Sequence, residues 1–297
     1  MPTTVAITGA SGLIGSALIP ALVETGRRVI RIVRGPAASD DEITWNPAAR
    51  LLDERRLARV DVVVNLAGET IGRRWTDARR RAIRESRVRG TETIVGAITR
   101  GRHAVTLINA SAVGFYGDRG DEVLDEKSPS GRGYLAEVCR EWESAALPAA
   151  SAGGRVVILR NGVALAAKGG ALPEMLRPFK LGVGGRIGNG RQWLAWIDLE
   201  DMVRAIIWVM DHPTISGPVN VVAPNPVTNA VFTRAAAEVL HKPALVPVPA
   251  LALKLMFGEM ASETLLASQR AIPSVLTASG FEFLHPEVRS SLMRNQS

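Results

Sequence analysis

Three glycines near the start of the chain have the spacing of a phosphate-binding turn. The segment Thr8-Gly9-Ala10-Ser11-Gly12-Leu13-Ile14-Gly15 follows a strand-like apolar run and precedes an amphipathic helical pattern. Gly9 suits a tight turn, Gly12 lets the backbone approach a diphosphate, and Gly15 allows close contact between helix and strand. We therefore expect Thr8, Gly9, Ser11, Gly12, Leu13, Ile14 and Gly15 to bind a dinucleotide, with a glycine turn that holds no ligand as the alternative.

Arg34 stands at the end of the second strand-like run. A dinucleotide fold that prefers NAD usually carries a carboxylate there, which binds the ribose hydroxyls. A guanidinium suits the additional 2′-phosphate of NADP(H), because it can donate bidentate, charge-assisted hydrogen bonds. Arg34 therefore predicts NADP(H) as the cofactor, and an ordinary surface arginine is the alternative.

Two further segments point to the same ligand. Leu66, Ala67 and Gly68 close a buried strand at the edge where ligands of open α/β sheets bind, and their small size leaves room for a cofactor. In the following helical pattern, Arg87 shares one stripe with apolar residues. A charge on such a face needs an opposite charge, for which the cofactor's pyrophosphate and an internal carboxylate are equal candidates.

The elements that position these residues alternate between strands and helices. Apolar runs at 5–8, 29–33, 61–66, 105–110 and 155–159 predict strands, and their near-continuous apolar character predicts a sheet covered on both faces. The predicted fold class is α/β: a doubly wound parallel sheet of the Rossmann type with a smaller C-terminal lobe that faces the substrate. We expect residues 1–166 to form the dinucleotide-binding domain, with the sheet completed by about 198–223, and residues 167–197 and 224–297 to form the lobe.

Composition excludes several other classes. The lone Cys139 rules out an internal disulfide, the lack of paired Cys and His clusters argues against a metal site, and a cytoplasmic location is expected. No apolar run is long enough to span a membrane. The balance of 36 basic against 29 acidic residues gives a net charge of +7, and its densest basic stretch runs from Arg73 to Arg89. A solvated helix face is favoured there over a nucleic-acid surface, which stays as a minor alternative.

Several segments together carry a family resemblance. They are TGASGLIG (8–15), NLAGE (65–69), SAVGFYG (111–117), YLAEVCREWE (134–143), LRNGV (159–163), WIDLEDM (196–202), APNPVTN (223–229) and GEMASETLLASQR (258–270). Over nearly its whole length the chain resembles the extended short-chain dehydrogenase/reductases, and within them an atypical, epimerase-like branch with a short C-terminal domain of unknown function. The resemblance implies a nucleotide-binding fold, adds Val163 to the expected cofactor contacts, and allows a homodimer.

The wider superfamily uses a Ser, a Tyr and a Lys, the last two in a Tyr-x-x-x-Lys pair. Ser111 and Tyr134 match the first two, whereas Val138 stands where the lysine is expected. In such a pair the ammonium shares a helix face with the phenol and lowers its pKa, which a valine cannot do. The usual proton relay therefore cannot be transferred intact to this chain.

Few residues could replace the missing relay. Tyr116 is the only other tyrosine, and a packed, hydrogen-bonded Tyr116 is as well supported as a catalytic one. Tyr134 shares an apolar stripe with Val138 and Trp142, which favours a place in the core or in a pocket wall. The glycine-rich segment 182–190 and the residues after it could face a substrate, and Asp198 with Asp201 is typical of a helix start.

These observations support three hypotheses. The first is an NADP(H)-dependent oxidoreductase or epimerase that acts on a small carbonyl or hydroxyl compound, with Ser111 polarising the oxygen and Tyr134 or Tyr116 assisting. The second is a non-catalytic NADPH-binding regulator, which the missing lysine motivates. The third, nucleic-acid binding through the helix at 73–89, predicts association that depends steeply on salt concentration.

Overall fold

The computed structural model describes residues 3–101 and 104–296 of the chain. Its strands are β1 (Thr4–Thr8), β2 (Arg28–Val33), β3 (Glu42–Asn46), β4 (Leu51–Leu52), β5 (Val62–Asn65), β6 (Thr106–Ala112), β7 (Val123–Leu124), β8 (Val156–Asn161), β9 (Val163–Leu165), β10 (Trp193–Leu194), β11 (Trp196–Asp198), β12 (Gly217–Val221), β13 (Val227–Thr228) and β14 (Arg270–Ala271). Its α-helices are α1 (Leu13–Glu24), α2 (Glu54–Leu57), α3 (Asp77–Gly101), α4 (Tyr134–Ala146), α5 (Leu172–Lys180), α6 (Leu199–Asp211), α7 (Asn229–Leu240), α8 (Ala250–Phe257), α9 (Ser274–Ala278) and α10 (Val288–Arg294). Shorter turns are 3₁₀-helical at Val113–Tyr116 and Leu147–Ala152 and π-helical at Ala261–Leu265.

In the described part of the chain, the central sheet has eight strands in the order β12-β8-β6-β5-β1-β2-β3-β4. All neighbours pair in parallel except β3 and β4, which pair antiparallel. The chain builds outward from β1 to β3 and then crosses back to build β5, β6, β8 and β12 on the other side. This order confirms the predicted doubly wound α/β fold and places its switch point between β1 and β5, where such sheets bind ligands.

The burial of the strands explains why they could be recognised in the sequence. All five predicted strands are present, and every residue of β5 is buried. Val62 and Val64 pack into the apolar cluster that includes residues of α1 and α6, whereas Val63 packs into the cluster on the opposite face with residues of α3. Alternate side chains of a strand point to opposite faces, so a strand covered on both sides must be apolar throughout.

A third apolar cluster lies outside the two that cover the sheet. It combines residues of α5, α7 and α10 with Leu165 of β9 and Trp196 of β11. Short strand pairs, β9 with β11 and β10 with β13, link these helices to the end of the main sheet. The division of the chain into residues 1–166 and a lobe of 167–197 and 224–297 stays a prediction.

Among the described residues, no helix is both long enough and apolar enough to cross a membrane.

Candidate functional site

The glycine turn between β1 and α1 has a conformation that side chains would prevent. Gly9 has a φ of +67°, and a Cβ on it would lie 2.9 Å from the carbonyl carbon and oxygen of Leu66. A Cβ on Gly15 would lie 2.3 Å from the carbonyl oxygen of Gly9. Gly12 differs, since a Cβ there would approach only the Gly9 oxygen, at 3.2 Å, and its outer side is open. Gly9 and Gly15 therefore shape the turn, and Gly12 leaves access to its backbone.

Helix α1 begins with backbone donors that the protein does not use. Gly12 is its N-cap and provides no side-chain acceptor. Within the described residues, the N–H groups of Leu13 and Ile14 have no acceptor, and the neighbouring Ser11 is exposed. Free N–H groups and the positive end of the helix dipole favour an anion at this position.

Thr8 supports this turn from below. Its side chain is fully buried, and its hydroxyl donates to Oδ1 of Asn65 (2.7 Å) while accepting from the N–H groups of Leu66 (3.0 Å) and Ala67 (3.1 Å). The hydroxyl is thus fully engaged within the protein, and Thr8 holds the 66–68 segment against the glycine turn. Leu66 and Ala67 are half-buried, and Gly68 is exposed.

Arg34 lies just beyond β2, at the same edge of the sheet. Its side chain is exposed and makes no hydrogen bond or ion pair with any described residue. Two other arginines of β2 differ, because Arg28 pairs with Asp41 and Arg31 with Glu42. Arg34 is therefore the guanidinium that this strand leaves available at the ligand-binding edge.

Arg87 of α3 reaches the back of the 66–68 segment. Its Nη1 donates to the carbonyl oxygens of Glu69 (3.0 Å) and Ile83 (3.1 Å), and its guanidinium faces the indole ring of Trp142 at 5.1 Å. Burial lowers the pKa of Arg87. No carboxylate of the described residues lies within ion-pairing distance, so the structure does not contain the internal partner that the sequence left open.

The segment after β9 approaches the glycine turn from the opposite side. A Cβ on Gly170 would lie 2.7 Å from Cδ2 of Leu13, so this glycine is in close contact with the start of α1. Val163 is half-buried in β9 and pairs with Trp196 of β11.

Ser111 belongs to a buried polar network at the ends of β6 and β8. Its hydroxyl donates to Oε1 of Glu143 on α4 (2.7 Å), and its residue is only 3% exposed. Arg160 of β8 forms a bidentate ion pair with Glu143, at 3.0 Å through Nε and 2.9 Å through Nη2. The carboxylate of Glu126 accepts from the N–H of Asn220 (3.0 Å), and its carbonyl oxygen accepts from Nη1 of Arg160 (3.2 Å). We call Ser111, Tyr116, Glu126, Glu143, Arg160 and Asn220 the Arg160 network.

Tyr116 lies at the centre of this network and is fully buried. Its hydroxyl donates to Oδ1 of Asn220 (2.7 Å), lies 2.9 Å from the carbonyl oxygen of Asp125, and accepts from Nη1 of Arg160 (3.1 Å). Burial raises the pKa of Tyr116, which keeps its proton bound. The geometry agrees with the packed tyrosine rather than with a phenol that faces a substrate.

Tyr134 begins α4, and its side chain turns towards α3. Its hydroxyl donates to the carbonyl oxygen of Arg80, and its ring packs edge-on against Trp75. Val138 is 2% exposed and shares an apolar cluster with Ile83, Tyr134 and Leu135. The structure therefore does not bring the hydroxyls of Ser111, Tyr116 and Tyr134 together at one point, and their catalytic roles stay predictions.

Other features of the sequence have structural explanations. Burial raises the pKa of the Cys139 thiol to about 11, which opposes a role as nucleophile. Asp198 caps α6 by accepting from the N–H of Glu200, and Asp201 accepts from the N–H groups of Leu284 and His285.

One group of potential metal ligands is present among the described residues: Asp198, Glu200 and His285, whose ligand atoms lie within 4.8 Å of one another. An arginine side chain already bridges the two carboxylates of this group. Arg294 of α10 contacts Asp198 and Glu200, at 2.8 Å each. The cluster therefore fastens α10 to α6.

Four of the eight arginines in the basic stretch at 73–89 are paired with carboxylates in the described part of the chain. Among the described residues, Arg79 pairs with Glu69, Arg80 with Glu259, Arg84 with Glu141 and Arg89 with Glu85. A surface that binds nucleic acid needs cations free for phosphates, so these pairs weaken that alternative.

Sequence reasoning missed Glu143, Arg160 and Glu263. The carboxylate of Glu263 accepts from the N–H groups of Tyr134 (2.6 Å) and Leu135 (2.7 Å) and thus caps α4 from a distant segment. Arg160 carried a signal, because a charge at the end of a buried strand requires a partner. Nothing local identified that partner as Glu143.

Comparison with known proteins supports this architecture. Residues 5–222 match the model of the NAD dependent epimerase/dehydratase family, and residues 248–294 match a domain of unknown function, DUF1731. An epimerase family protein of Mycobacterium bovis is 47% identical over 289 residues, which cover 97% of this chain and 96% of that protein.

Two solved structures are similar over the whole chain. Human epimerase family protein SDR39U1 (isoform 2), crystallised with NADPH, has a TM-score of 0.89 and 30% identity, with 99% of each chain covered. A nucleoside-diphosphate sugar epimerase from Corynebacterium glutamicum has a TM-score of 0.83 and 38% identity, and the match covers 100% of this chain and 58% of that one. The chain therefore belongs to the NAD dependent epimerase/dehydratase family.

Proposed function

We propose that the protein binds NADP(H) along the carboxyl ends of β1, β2 and β5, and uses it as an oxidoreductase or epimerase on a small carbonyl or hydroxyl compound. One observation carries the choice of cofactor. Arg34 offers an exposed guanidinium at the end of β2 that has no partner among the described residues. A 2′-phosphate is the group that distinguishes NADP(H) from NAD(H), and a free guanidinium favours it.

The residues of the glycine turn fit a dinucleotide. The unused N–H groups of Leu13 and Ile14 and the open side of Gly12 would hold the pyrophosphate, with Ser11 beside them. Gly9 and Gly15 keep the turn in this shape, and Thr8 holds Leu66, Ala67 and Gly68 beside it. The human relative crystallised with NADPH supports the same cofactor.

Bound NADP(H) would supply or accept a hydride at its nicotinamide ring. The chain's own contribution to that reaction is positioning, because the hydroxyl hydrogens of Ser111, Tyr116 and Tyr134 are donated to acceptors within the protein. General acid–base assistance is worth ~10²–10⁴-fold, so we expect slow turnover unless these bonds are exchanged when substrate binds.

The same bonds favour a second candidate function. A protein that binds NADPH without turning it over, and signals its presence to a partner, needs the cofactor site but no proton relay. Val138 is buried at the position where the superfamily's relay has its lysine, so the chain lacks that part of the relay. This absence favours the regulator.

The cofactor assignment is tested by titrating NADPH and NADH into the protein and its Arg34→Asp variant. We expect tighter binding of NADPH by the wild type, and a loss of about 10- to 100-fold in the variant, as for a lost charge-assisted contact. Arg59→Asp is the matched control, because it reverses an exposed charge at the opposite edge of the sheet. An NADPH/NADH affinity ratio that Arg34→Asp leaves unchanged would refute the assignment.

A second experiment separates the two candidate functions. NADPH deuterated at its transferable position is incubated with the protein and a metabolite extract, and the products are analysed by mass spectrometry. Deuterium in a product supports a reductase and reveals its substrate class. Tight NADPH binding without transfer of label contradicts the reductase and leaves the regulator, or an epimerase whose hydride stays with the cofactor.

A further inference from the structure

Position 138 of α4 carries no charge, yet a cation lies close by on the neighbouring helix. Val138 contacts the cluster that contains Ile83 of α3. One turn further along α3, Arg87 lies beside Trp142, which is one turn beyond Val138 on α4. Arg87 therefore lies beside the stretch of α4 between Val138 and Trp142, and its Nη1 reaches back to the carbonyl oxygen of Ile83.

The surroundings of Arg87 show where its charge is directed. A Cβ on Gly68 would lie 3.2 Å from Cζ of Arg87, so the guanidinium lies against the backbone of Gly68 without an intervening side chain. Gly68 follows Leu66 and Ala67, which Thr8 holds beside the glycine turn. The cation is therefore separated from the ligand-binding edge of the sheet only by glycine backbone.

The hydrogen bonds of Arg87 are incomplete. Nη1 donates to two carbonyl oxygens, whereas Nε and Nη2 have no partner among the described residues and are not sealed from solvent. Other arginines of α3 differ, since Arg79, Arg80, Arg84 and Arg89 each pair with a carboxylate. A largely buried charge without a counter-ion is costly, and an anionic ligand would remove that cost.

We infer that Arg87 supplies from α3 the cation that α4 lacks at position 138, and that its free donors bind the nicotinamide-side phosphate and the adjoining ribose of NADP(H). The inference rests on the proposed cofactor. The inference also extends the proposed function, because it assigns the recognition of the two halves of the cofactor to different residues. Arg34 would recognise the adenosine 2′-phosphate, and Arg87 the part of the dinucleotide that leads towards the nicotinamide.

Two ligands distinguish these roles. NADPH contains both halves, whereas adenosine 2′,5′-bisphosphate carries the 2′-phosphate but lacks the second phosphate and the nicotinamide ribose. For Arg87→Met we expect NADPH affinity to fall about 10- to 100-fold, as for a lost charge-assisted contact, with the bisphosphate affinity changed less than about threefold. Arg34→Asp should weaken both ligands alike. Arg84→Met removes a neighbouring, ion-paired arginine of α3 and should leave both affinities unchanged.

The outcomes separate the hypotheses. A wild type that binds neither ligand would reject the proposed cofactor itself. If the wild type binds NADPH, an Arg87→Met variant with unchanged NADPH affinity overturns the role of Arg87 alone. An equal loss for both ligands also overturns it, because it indicates general damage to the site. If Arg87→Met does not fold, Arg87→Lys decides: it keeps the charge, and we expect at least a threefold loss for NADPH with the bisphosphate unaffected.

Discussion

Two regions at the carboxyl ends of the strands of the central sheet differ in how their polar groups are paired. At the ends of β1 and β2, the N–H groups of Leu13 and Ile14 and the guanidinium of Arg34 have no partner among the described residues. In the Arg160 network at the ends of β6 and β8, the hydroxyls of Ser111 and Tyr116 are hydrogen-bonded inside the protein. Buried polar groups must find partners inside the protein, whereas exposed ones hydrogen-bond to water or to a ligand. The first region thus leaves donors available to the proposed cofactor, and the second uses its donors to hold the fold together.

The largest expected effect concerns the ion pair between Arg160 and Glu143 in the Arg160 network. Arg160→Met would leave Glu143 buried without its counter-ion, so we expect the free energy of unfolding to fall by about 3–5 kcal/mol, measured by urea denaturation. Arg84→Met breaks an exposed arginine–glutamate pair on α3 and should cost less than about 1 kcal/mol. A similar loss in both variants would contradict a structural role for the network.

The next test concerns the residue that supports the ligand-binding region. Thr8→Val removes the hydroxyl that serves Asn65, Leu66 and Ala67, and we expect a stability loss of about 2 kcal/mol together with weaker NADPH binding. Thr8→Ser keeps the hydroxyl and should retain most of both properties. Denaturation and NADPH titration check the two effects, and NADPH affinity that is unchanged in Thr8→Val would separate the 66–68 segment from the cofactor site.

A smaller effect is expected at Tyr134. Tyr134→Phe removes the hydrogen bond to the carbonyl of Arg80, which is worth about 1 kcal/mol, and should leave NADPH affinity unaltered because the hydroxyl faces α3. The measurement combines denaturation with NADPH titration. A change in NADPH affinity of more than about threefold would show that the phenol reaches the cofactor. It would contradict the assignment of the Tyr134 hydroxyl to a purely structural bond.

The smallest effect is a change in how stability depends on pH. Burial raises the pKa of Glu126 above its ordinary value of 4.5. A carboxyl whose pKa is higher in the folded state contributes stability that is complete below about pH 4.5 and is lost as pH rises through the raised pKa. Glu126→Gln cannot ionise, so its free energy of unfolding should decrease less over this pH range.

Denaturation curves at several pH values measure this slope. Glu122→Gln, at an exposed carboxylate that pairs with Arg119, should follow the wild type. Parallel slopes for Glu126→Gln and the wild type would contradict a raised pKa of the buried Glu126 carboxyl.

Parts of the candidate site could be proposed from the sequence because their cause is local. The glycines at 9, 12 and 15 and the arginine at 34 follow from the geometry of one strand, one turn and one helix, all within a short stretch of chain. The partner of Arg87 could not be predicted, because helical periodicity gives the direction of a side chain but not what lies opposite. In the structure Arg87 donates to two carbonyl oxygens, and no carboxylate of the described residues pairs with it.

The sequence by itself determined the order of strands and helices, the two-sided burial of the sheet and the position of the glycine turn, because each depends on periodicity or on one residue's conformational freedom. Only the tertiary structure decided what Ser111, Tyr116 and Tyr134 do with their hydroxyls. Their acceptors are Glu143, Asn220 and the carbonyl of Arg80, which lie far from them along the chain. A hydroxyl can donate to any acceptor within reach, and packing between distant elements determines which acceptor that is.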